Sequence, residues 1–275
     1  MECQLKNINV YYQVHGEGRP LIAIHGFTPD HHLMTGCMEP VFQQRDGWQR
    51  FYPDLPGMGK TPGPKWLTNS DQMLDVVMDF IEAVIPGQNF ALAGESYGGY
   101  LARGIVQRWP ERVDGLFLLC PLIIPLNDER HAPLFKVLKR DPAILERLSP
   151  QEREQFEFVA IVQTQYTWER TRDEVIVGLN VADRPFLDTF FQQGYPFSFD
   201  VDTIAPFEKP ALILTGRQDH MVGYGDAWNI YENYPRGSYV VLDRAGHNLQ
   251  IEQPIVFNAL VNEWLDRVEE ANYGD

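Results

Sequence analysis

The nine residues LAGESYGGY, Leu92 to Tyr100, hold a glycine, a serine two positions on and a second glycine after that: Gly94, Ser96 and Gly98. The motif sits between a short apolar run, NFALAG, and a helical pattern, YGGYLARGIVQRWP, that Pro110 ends. A serine on so tight a strand-to-helix turn is forced into strained backbone with its hydroxyl outward, and the glycines remove side chains that would collide there. The new helix supplies free N–H groups and a positive dipole end, both of which favour a developing oxyanion. The context therefore favours a nucleophile over a plain turn serine. Serine attacks poorly at its own pKa, so a base must lie within hydrogen-bond reach and a further group must orient that base. DRAGHNLQIEQP offers His247 in a loop after the last predicted strand, and LTGRQDHMV offers Asp219 after the preceding one. Ser96, Asp219 and His247 thus occur in the order Ser, Asp, His, each beyond the C-terminal end of a strand. A histidine in a loop is usually a surface group, but three coincidences at one sheet edge point to acyl transfer. Asp243 and Asp226 are the competing acids; both read as surface groups, Asp243 in or beside the strand before His247 and Asp226 at the start of a helical run.

DLPGMGKT, Asp54 to Thr61, imitates the end of a phosphate-binding loop. The glycine such a loop needs five positions before Gly59 is Asp54, whose charge would repel a phosphate, and Pro62, Gly63 and Pro64 forbid the helix that should follow. The segment reads as a turn.

These residues need elements to hold them. LIAIHG, NFALAG, DGLFLLCP, ALILTG and SYVVLDRAG read as strands and INVYYQVHGEG as a hairpin strand. NSDQMLDVVMDFIEAVIPG is an amphipathic helix with a cap-like start, apolar residues at Met73, Val76, Val77, Phe80, Ile81 and Val84, and a stop at Pro86-Gly87. Strands alternating with helices imply an α/β fold, a mostly parallel, doubly wound sheet covered on both faces. The rhythm breaks between 121 and 206, where helical patterns, charges and aromatics occur without a convincing strand. The expected organisation is a core of residues 1–120 and 207–275 with a helical insertion, 121–206, over the sheet edge where ligands bind.

The 275 residues suit one large domain, and 44% hydrophobic with 22% charged residues suit a globular one. A formal charge of -15 disfavours nucleic acid and anionic membranes as partners. The longest apolar run, Gly115 to Leu126, is too short to cross a bilayer and contains Pro121 and Pro125. The N-terminus lacks a secretory pattern, and three cysteines, Cys3, Cys37 and Cys120, lack metal-ligand spacing, which together suggest a reduced cytoplasmic setting. His31 and His32, adjacent in a polar loop, read as surface residues.

From about Leu5 to Val268 the chain resembles the α/β-hydrolase superfamily, through HGF after an early strand, DLPGMGKT after the next, GESYGG, GRQD and AGHNLQIEQP. The resemblance implies that Ser96 is the nucleophile, His247 the general base and acid, Asp219 the orienting carboxylate, and the backbone N–H groups of Phe27 and Tyr97 the oxyanion hole. It makes DLPGMGKT the family's Asp-x-Pro-Gly-x-Gly-x-Ser turn, with Met58 where histidine is common and threonine in place of serine. His25 then has a shaping role, and Glu95 is expected to point away from the reacting face. Cys120-Pro121 offers no acid at the alternative position some relatives use, which favours Asp219.

A serine nucleophile implies hydrolysis of a small, largely apolar carboxylic ester through an acyl-enzyme, with no cofactor and no metal. Phe27, Tyr97, Tyr166, Trp168 and Phe190 are the candidate pocket residues, among further insertion aromatics such as Phe186, Phe191, Tyr195 and Phe197; more than half of them are expected to pack the insertion itself. The alternatives are an aminopeptidase of the proline-iminopeptidase type, with Glu146, Glu152, Glu154 or Glu157 holding a substrate ammonium, and a ligand-binding or regulatory protein on the same scaffold. HGFTPD lacks the His-Gly-Gly-Pro-Gly loop of the former.

Overall fold

The structure, a computed structural model, describes residues 1–202 and 205–271, so parts of both expected units (203–204 and 272–275) lie outside the described residues. The strands are β1 (Glu2–Gln4), β2 (Asn9–His15), β3 (Arg19–Ile24), β4 (Trp48–Pro53), β5 (Phe90–Glu95), β6 (Val113–Leu119), β7 (Lys139–Arg140), β8 (Val162–Gln163), β9 (Ala211–Gly216) and β10 (Gly237–Leu242). The helices are α1 (His31–Phe42), α2 (Ser70–Val84), α3 (Tyr97–Arg108), α4 (Pro142–Leu145), α5 (Pro150–Val159), α6 (Gln165–Thr171), α7 (Val177–Leu179), α8 (Arg184–Gly194), α9 (Gly225–Asn229), α10 (Leu249–Glu252) and α11 (Pro254–Ala271).

Eight strands form one sheet in the order β1-β2-β4-β3-β5-β6-β9-β10. β2 runs antiparallel to both neighbours and the rest are parallel. Every residue of β5, β6 and β9 is buried, as strands covered on both faces require. The two-residue period of a strand divides their side chains between two cores. Ile22, Leu92, Leu116 and Ile213 meet Phe80, Ile81, Leu101 and Ile105 of α2 and α3. Leu21, Ala91, Phe117 and Leu212 meet Leu33 and Met34 of α1 and Trp264 and Leu265 of α11 on the opposite face. α2 follows the expected pattern: Asn69 caps it by accepting from the Gln72 N–H, and Met73, Val76, Val77, Phe80 and Ile81 are buried.

Between β6 and β9 the chain is largely helical, from α4 to α8, with a π-helical turn over Arg172–Ile176 and a small apolar cluster of its own made by Ile144, Leu145, Phe156, Ala160, Trp168 and Ile176. The expectation of no strand here needs correcting, because β7 and β8 pair in parallel through Lys139 with Val162 and Arg140 with Gln163. Two residues per strand are too few to leave an alternation in the sequence.

α1 departs from the expected polar loop. Asp30 caps it, accepting from the His32 N–H, although Pro40 lies inside it. His31 is therefore not a surface residue: it is buried, and its Nδ1 stands 2.7 Å from Oδ1 of Asp54 while its Nε2 meets Gln13 at 2.8 Å. Asp30, His31 and His32 bring ligand-type atoms close together, and each histidine Nδ1 there already faces a carboxylate oxygen. Asp54 also accepts from the N–H groups of His31 and Lys60, so the DLPGMGKT turn is organised around a buried carboxylate. Gly57 and Gly59 have φ of 80° and 54°, conformations that an L side chain resists. No helix of the described residues is long and apolar enough to cross a membrane.

Candidate active site

β5 delivers Ser96 to the sheet edge, and α3 starts at the next residue. Ser96 has φ 52° and ψ -115°, a strained conformation that costs roughly 1–3 kcal/mol. Hydrogen bonds hold the turn: Ser96 N–H donates to the Leu119 carbonyl at 3.0 Å, and its carbonyl accepts from Tyr100 and Leu122 at 3.1 and 2.9 Å. The flanking glycines are sterically required. A Cβ on Gly94 would come 2.4 Å from the Gly98 carbonyl oxygen, and one on Gly98 would come 2.2 Å from that of Ile24. Of residues 91–100 only Ser96 is not buried.

Asp219 follows β9 and is fully buried. Its Oδ1 accepts from the N–H groups of Met221 at 2.9 Å and Val222 at 3.1 Å, which fixes the carboxylate and leaves Oδ2 for the Nδ1 of His247 at 2.8 Å. His247 lies in the loop after β10 and borders the same cavity as Ser96, with Nε2 on the side of the ring away from Asp219. Ser96, Asp219 and His247 stand at one edge of the sheet.

The second group at Nε2 is Glu95. Its Oε1 lies 3.2 Å from the ring nitrogen, at ion-pair distance though not aligned as a hydrogen bond. This overturns the expectation that Glu95 points away from the reacting face. α3 occupies the side of β5 that Gly94 faces, so the alternation of the strand turns Glu95 to the other side, over Gly26. There a Cβ on Gly26 would stand 2.1 Å from Glu95 Oε2, an oxygen without a well-aligned hydrogen-bond partner among the described residues. Burial pushes the Glu95 carboxyl up to about 7, with Asp219 adding to the rise and His247 opposing it. Burial alone would lower His247; the Asp219 and Glu95 carboxylates outweigh it and raise the imidazole to about 9.

The backbone N–H groups of Phe27 and Tyr97 make no hydrogen bond to another described residue. The loop carrying Phe27 is pinned by His25, whose Nε2 receives the Leu55 N–H at 3.0 Å and whose Nδ1 lies 2.7 Å from the Gly26 carbonyl. Those partners select the neutral tautomer protonated at Nδ1, and burial lowers the ring's pKa in agreement. Thr28, next in this loop, has φ 87°.

A cavity of about 580 Å³ opens over Ser96 and His247. Its aromatic lining is Phe27, Phe158, Phe191 and Tyr195, with Leu122, Val159, Met221 and Val222 beside them and Glu95, Asn127, Arg130, Glu154, Arg184 and Asn248 as polar groups. Of the five expected pocket residues only Phe27 borders it. Tyr97 is buried against Tyr195, ring centroids 5.0 Å apart, with its hydroxyl on Ser70. Phe190 packs behind Phe27, Trp168 belongs to the insertion's own core against Phe156, and Tyr166 is exposed beside Arg170. The acids behave similarly: Glu152 caps α5, Glu157 pairs with Arg140 and Arg153, Glu146 is exposed, and Glu154 alone reaches the cavity. Asp226 is buried rather than at the surface, where it accepts from the N–H of His131 and faces its Nδ1 at 2.7 Å; Asp243 is exposed.

Two further residues escaped sequence reasoning. Arg130 borders the cavity and donates to the carbonyls of Ile124, Pro125 and Met221, tying the start of the insertion to the Asp219 loop. Glu252, buried on α10, accepts the N–H groups of Gly246 at 2.6 Å, Ile161 at 2.8 Å and Val162 at 3.2 Å. Its only sequence signal is an acid within the apolar stretch after His247.

Comparison with known proteins agrees with this architecture. The solved structure of an alpha/beta superfamily hydrolase from Oenococcus oeni PSU-1 is similar with a TM-score of 0.88 and 29% identity, covering 98% of this chain and 99% of that one. A pimeloyl-[acyl-carrier protein] methyl ester esterase of Legionella pneumophila (strain Paris) is 23% identical over 94% of this chain and all of its own length. A 2-hydroxy-6-oxononadienedioate/2-hydroxy-6-oxononatrienedioate hydrolase of Burkholderia vietnamiensis is 26% identical over 94% of this chain and 92% of that protein. Residues 19–254 match the family described as the alpha/beta hydrolase fold, and the chain belongs to that family.

Proposed function

We propose that this protein hydrolyses small, largely apolar carboxylic esters through an acyl-enzyme on Ser96, with His247 as general base and acid and Asp219 as its orienting carboxylate. Its named relatives are esterases and hydrolases, and the chain is an enzyme of the carboxylic-ester hydrolase kind. The observation that supports the finer reading is the His247 ring, held at Nδ1 by a fixed, fully buried Asp219 and bordering the same cavity as Ser96. In the neutral ring Nε2 takes the Ser96 proton as Oγ attacks the ester carbonyl. The N–H groups of Phe27 and Tyr97 receive the oxyanion. The imidazolium then protonates the leaving alkoxide, and water, deprotonated by the same ring, cleaves the acyl-enzyme.

The segment 121–206 acts as a cap whose Phe158, Phe191 and Tyr195 face the acyl chain, and apolar neighbours such as Leu122 and Val159 suit a hydrocarbon. The loop HGFTPD lacks the His-Gly-Gly-Pro-Gly pattern, which argues against the aminopeptidase, while the cavity itself carries charges of both signs, Arg130 and Arg184 beside Glu95 and Glu154. Free Cys3, Cys37 and Cys120 suit a cytoplasmic setting.

The test is hydrolysis of p-nitrophenyl esters of increasing acyl length beside prolyl and other aminoacyl p-nitroanilides, with Ser96→Ala as control. Ester turnover reduced about 10³-fold or more in Ser96→Ala is expected. Turnover that survives the substitution, or turnover confined to the anilides, would overturn the proposal.

A further inference from the structure

The base of the site has two carboxylate neighbours. Asp219 holds Nδ1, the side a catalytic imidazole needs oriented, while Glu95 approaches Nε2, the nitrogen that must accept the Ser96 proton. Glu95 is fully buried, and the cation it meets at ion-pair distance is this ring when protonated. A buried carboxylate at such a distance strongly favours the charged form of its neighbour. We propose that Glu95 is a second carboxylate partner of His247, a positioning residue that holds the ring as imidazolium in the resting enzyme and sets the pH at which Nε2 becomes free to serve Ser96. The inference rests on the reading of Ser96, His247 and Asp219 given above.

The surroundings of the pair support it. Around His247 stand Asp219 and His220 from the loop after β9, Cys120 after β6, Arg130 from the insertion, and Glu252 of α10, which acts through Asp219. Around Glu95 stand Cys37 of α1, Cys120 and Tyr195. Burial raises both thiols and the Tyr195 hydroxyl and lowers His220, so these four remain neutral near pH 7. The field on the ring is then set by Asp219, and by Glu95 to the extent that its carboxyl, pushed up to about 7, is ionised, against Arg130. The negative charge outweighs burial, in the direction of a raised His247, with Asp219 the larger contributor and Glu95 adding to it.

An ion pair at Nε2 has a kinetic consequence. Imidazolium cannot take a proton, so activity rises as pH climbs through the pKa of the ring, on the alkaline side of neutrality. Removing the Glu95 charge lowers that pKa by about 1–2 units, given the 1–3 that an opposite charge at this range produces. Each unit is a tenfold change in the neutral fraction, so Glu95→Gln raises kcat/KM at pH 7 by about tenfold or more. A residue that merely supports the fold would lower it.

The experiment follows the His247 ring by NMR in isotope-labelled Ser96→Ala protein, with the signal assigned by its loss in Ser96→Ala/His247→Gln, and repeats the titration in Ser96→Ala/Glu95→Gln. A midpoint well above that of a free imidazole that falls in the Gln variant is expected, together with an acid limb of ester kcat/KM that moves toward neutrality in Glu95→Gln and stays alkaline in Glu95→Asp. An ordinary midpoint in Ser96→Ala itself, which needs no Glu95 variant, overturns the inference, and so does a raised midpoint that Glu95→Gln leaves in place. The NMR arm needs no turnover, so an absence of ester hydrolysis would sink the proposed function and leave this test standing.

Discussion

Glu252 joins the insertion to the loop that carries His247, and its removal should be felt in both. Its Oε2 takes the N–H of Gly246, the residue before His247, and its Oε1 takes those of Ile161 and Val162 at β8. The site is tight, since a Cβ on Gly246 would lie 3.1 Å from the Ile161 side chain. Glu252→Ala removes three hydrogen bonds to a carboxylate, each contributing about 1.5–3 kcal/mol, and water entering the vacated space recovers part of the sum. The net loss is about 3–5 kcal/mol, a large share of the roughly 5–15 kcal/mol that stabilises a domain. At about 2–4 °C per kcal/mol, Tm falls by about 6–20 °C. Glu252→Gln keeps one acceptor oxygen for Ile161 and Val162 but turns an amide donor toward the Gly246 N–H, so about 2 kcal/mol is lost. The catalytic effect is separable. A loosened Gly246 moves His247, and misplacement of a catalytic group by about 1 Å costs on the order of 10²-fold, so kcat falls with little change in KM. Calorimetry and ester kinetics on both variants check this. An Ala variant within about 2 °C of the parent Tm, with kcat retained, would refute the coupling.

Asp219→Asn should leave the fold nearly intact and lower kcat by about 10³–10⁴-fold, because an amide no longer selects the ring tautomer with its proton on Nδ1; an activity loss under tenfold in steady-state kinetics would contradict the assigned role. Gly98→Ala should lower both stability and turnover. The added Cβ meets the backbone oxygens of Ile24 at 2.2 Å and His25 at 2.6 Å, which cannot yield as a flexible side chain would. That overlap outweighs the roughly 1 kcal/mol by which alanine favours a helix over glycine, and a stabilised variant in urea unfolding would show the argument wrong.

Much of the frame can be read from the chain because its strongest signals are local. β5, β6 and β9 each hold four consecutive apolar residues, Phe90–Ala93, Leu116–Leu119 and Ala211–Leu214, and α2 carries a 3.6-residue period with a cap and a stop, so element type and sheet class follow without tertiary information. The serine turn is legible for the same reason, since its glycines flank it directly. α1 is less legible because its signals conflict: Pro40 lies inside it, and its first residues are polar ones whose partners are distant in sequence, Asp54 in the turn after β4 and Gln13 on β2.

The site's charges fail as sequence signals for a related physical reason. A side chain in a half-known cavity is located by what fills the space opposite it, and that is a tertiary fact. Trp168 and Tyr166 lie two residues apart on α6, yet one enters the insertion's core and the other faces solvent, while Phe158 and Phe191 border the cavity. Glu95 is the clearest case. Its direction along β5 depends on α3 crowding one side and on Gly26, far earlier in the chain, leaving room on the other. Glu95 therefore faces His247 because a glycine elsewhere has no Cβ. Replacing that glycine with alanine should displace the Glu95 carboxylate from His247 as well as disturb the loop of Phe27.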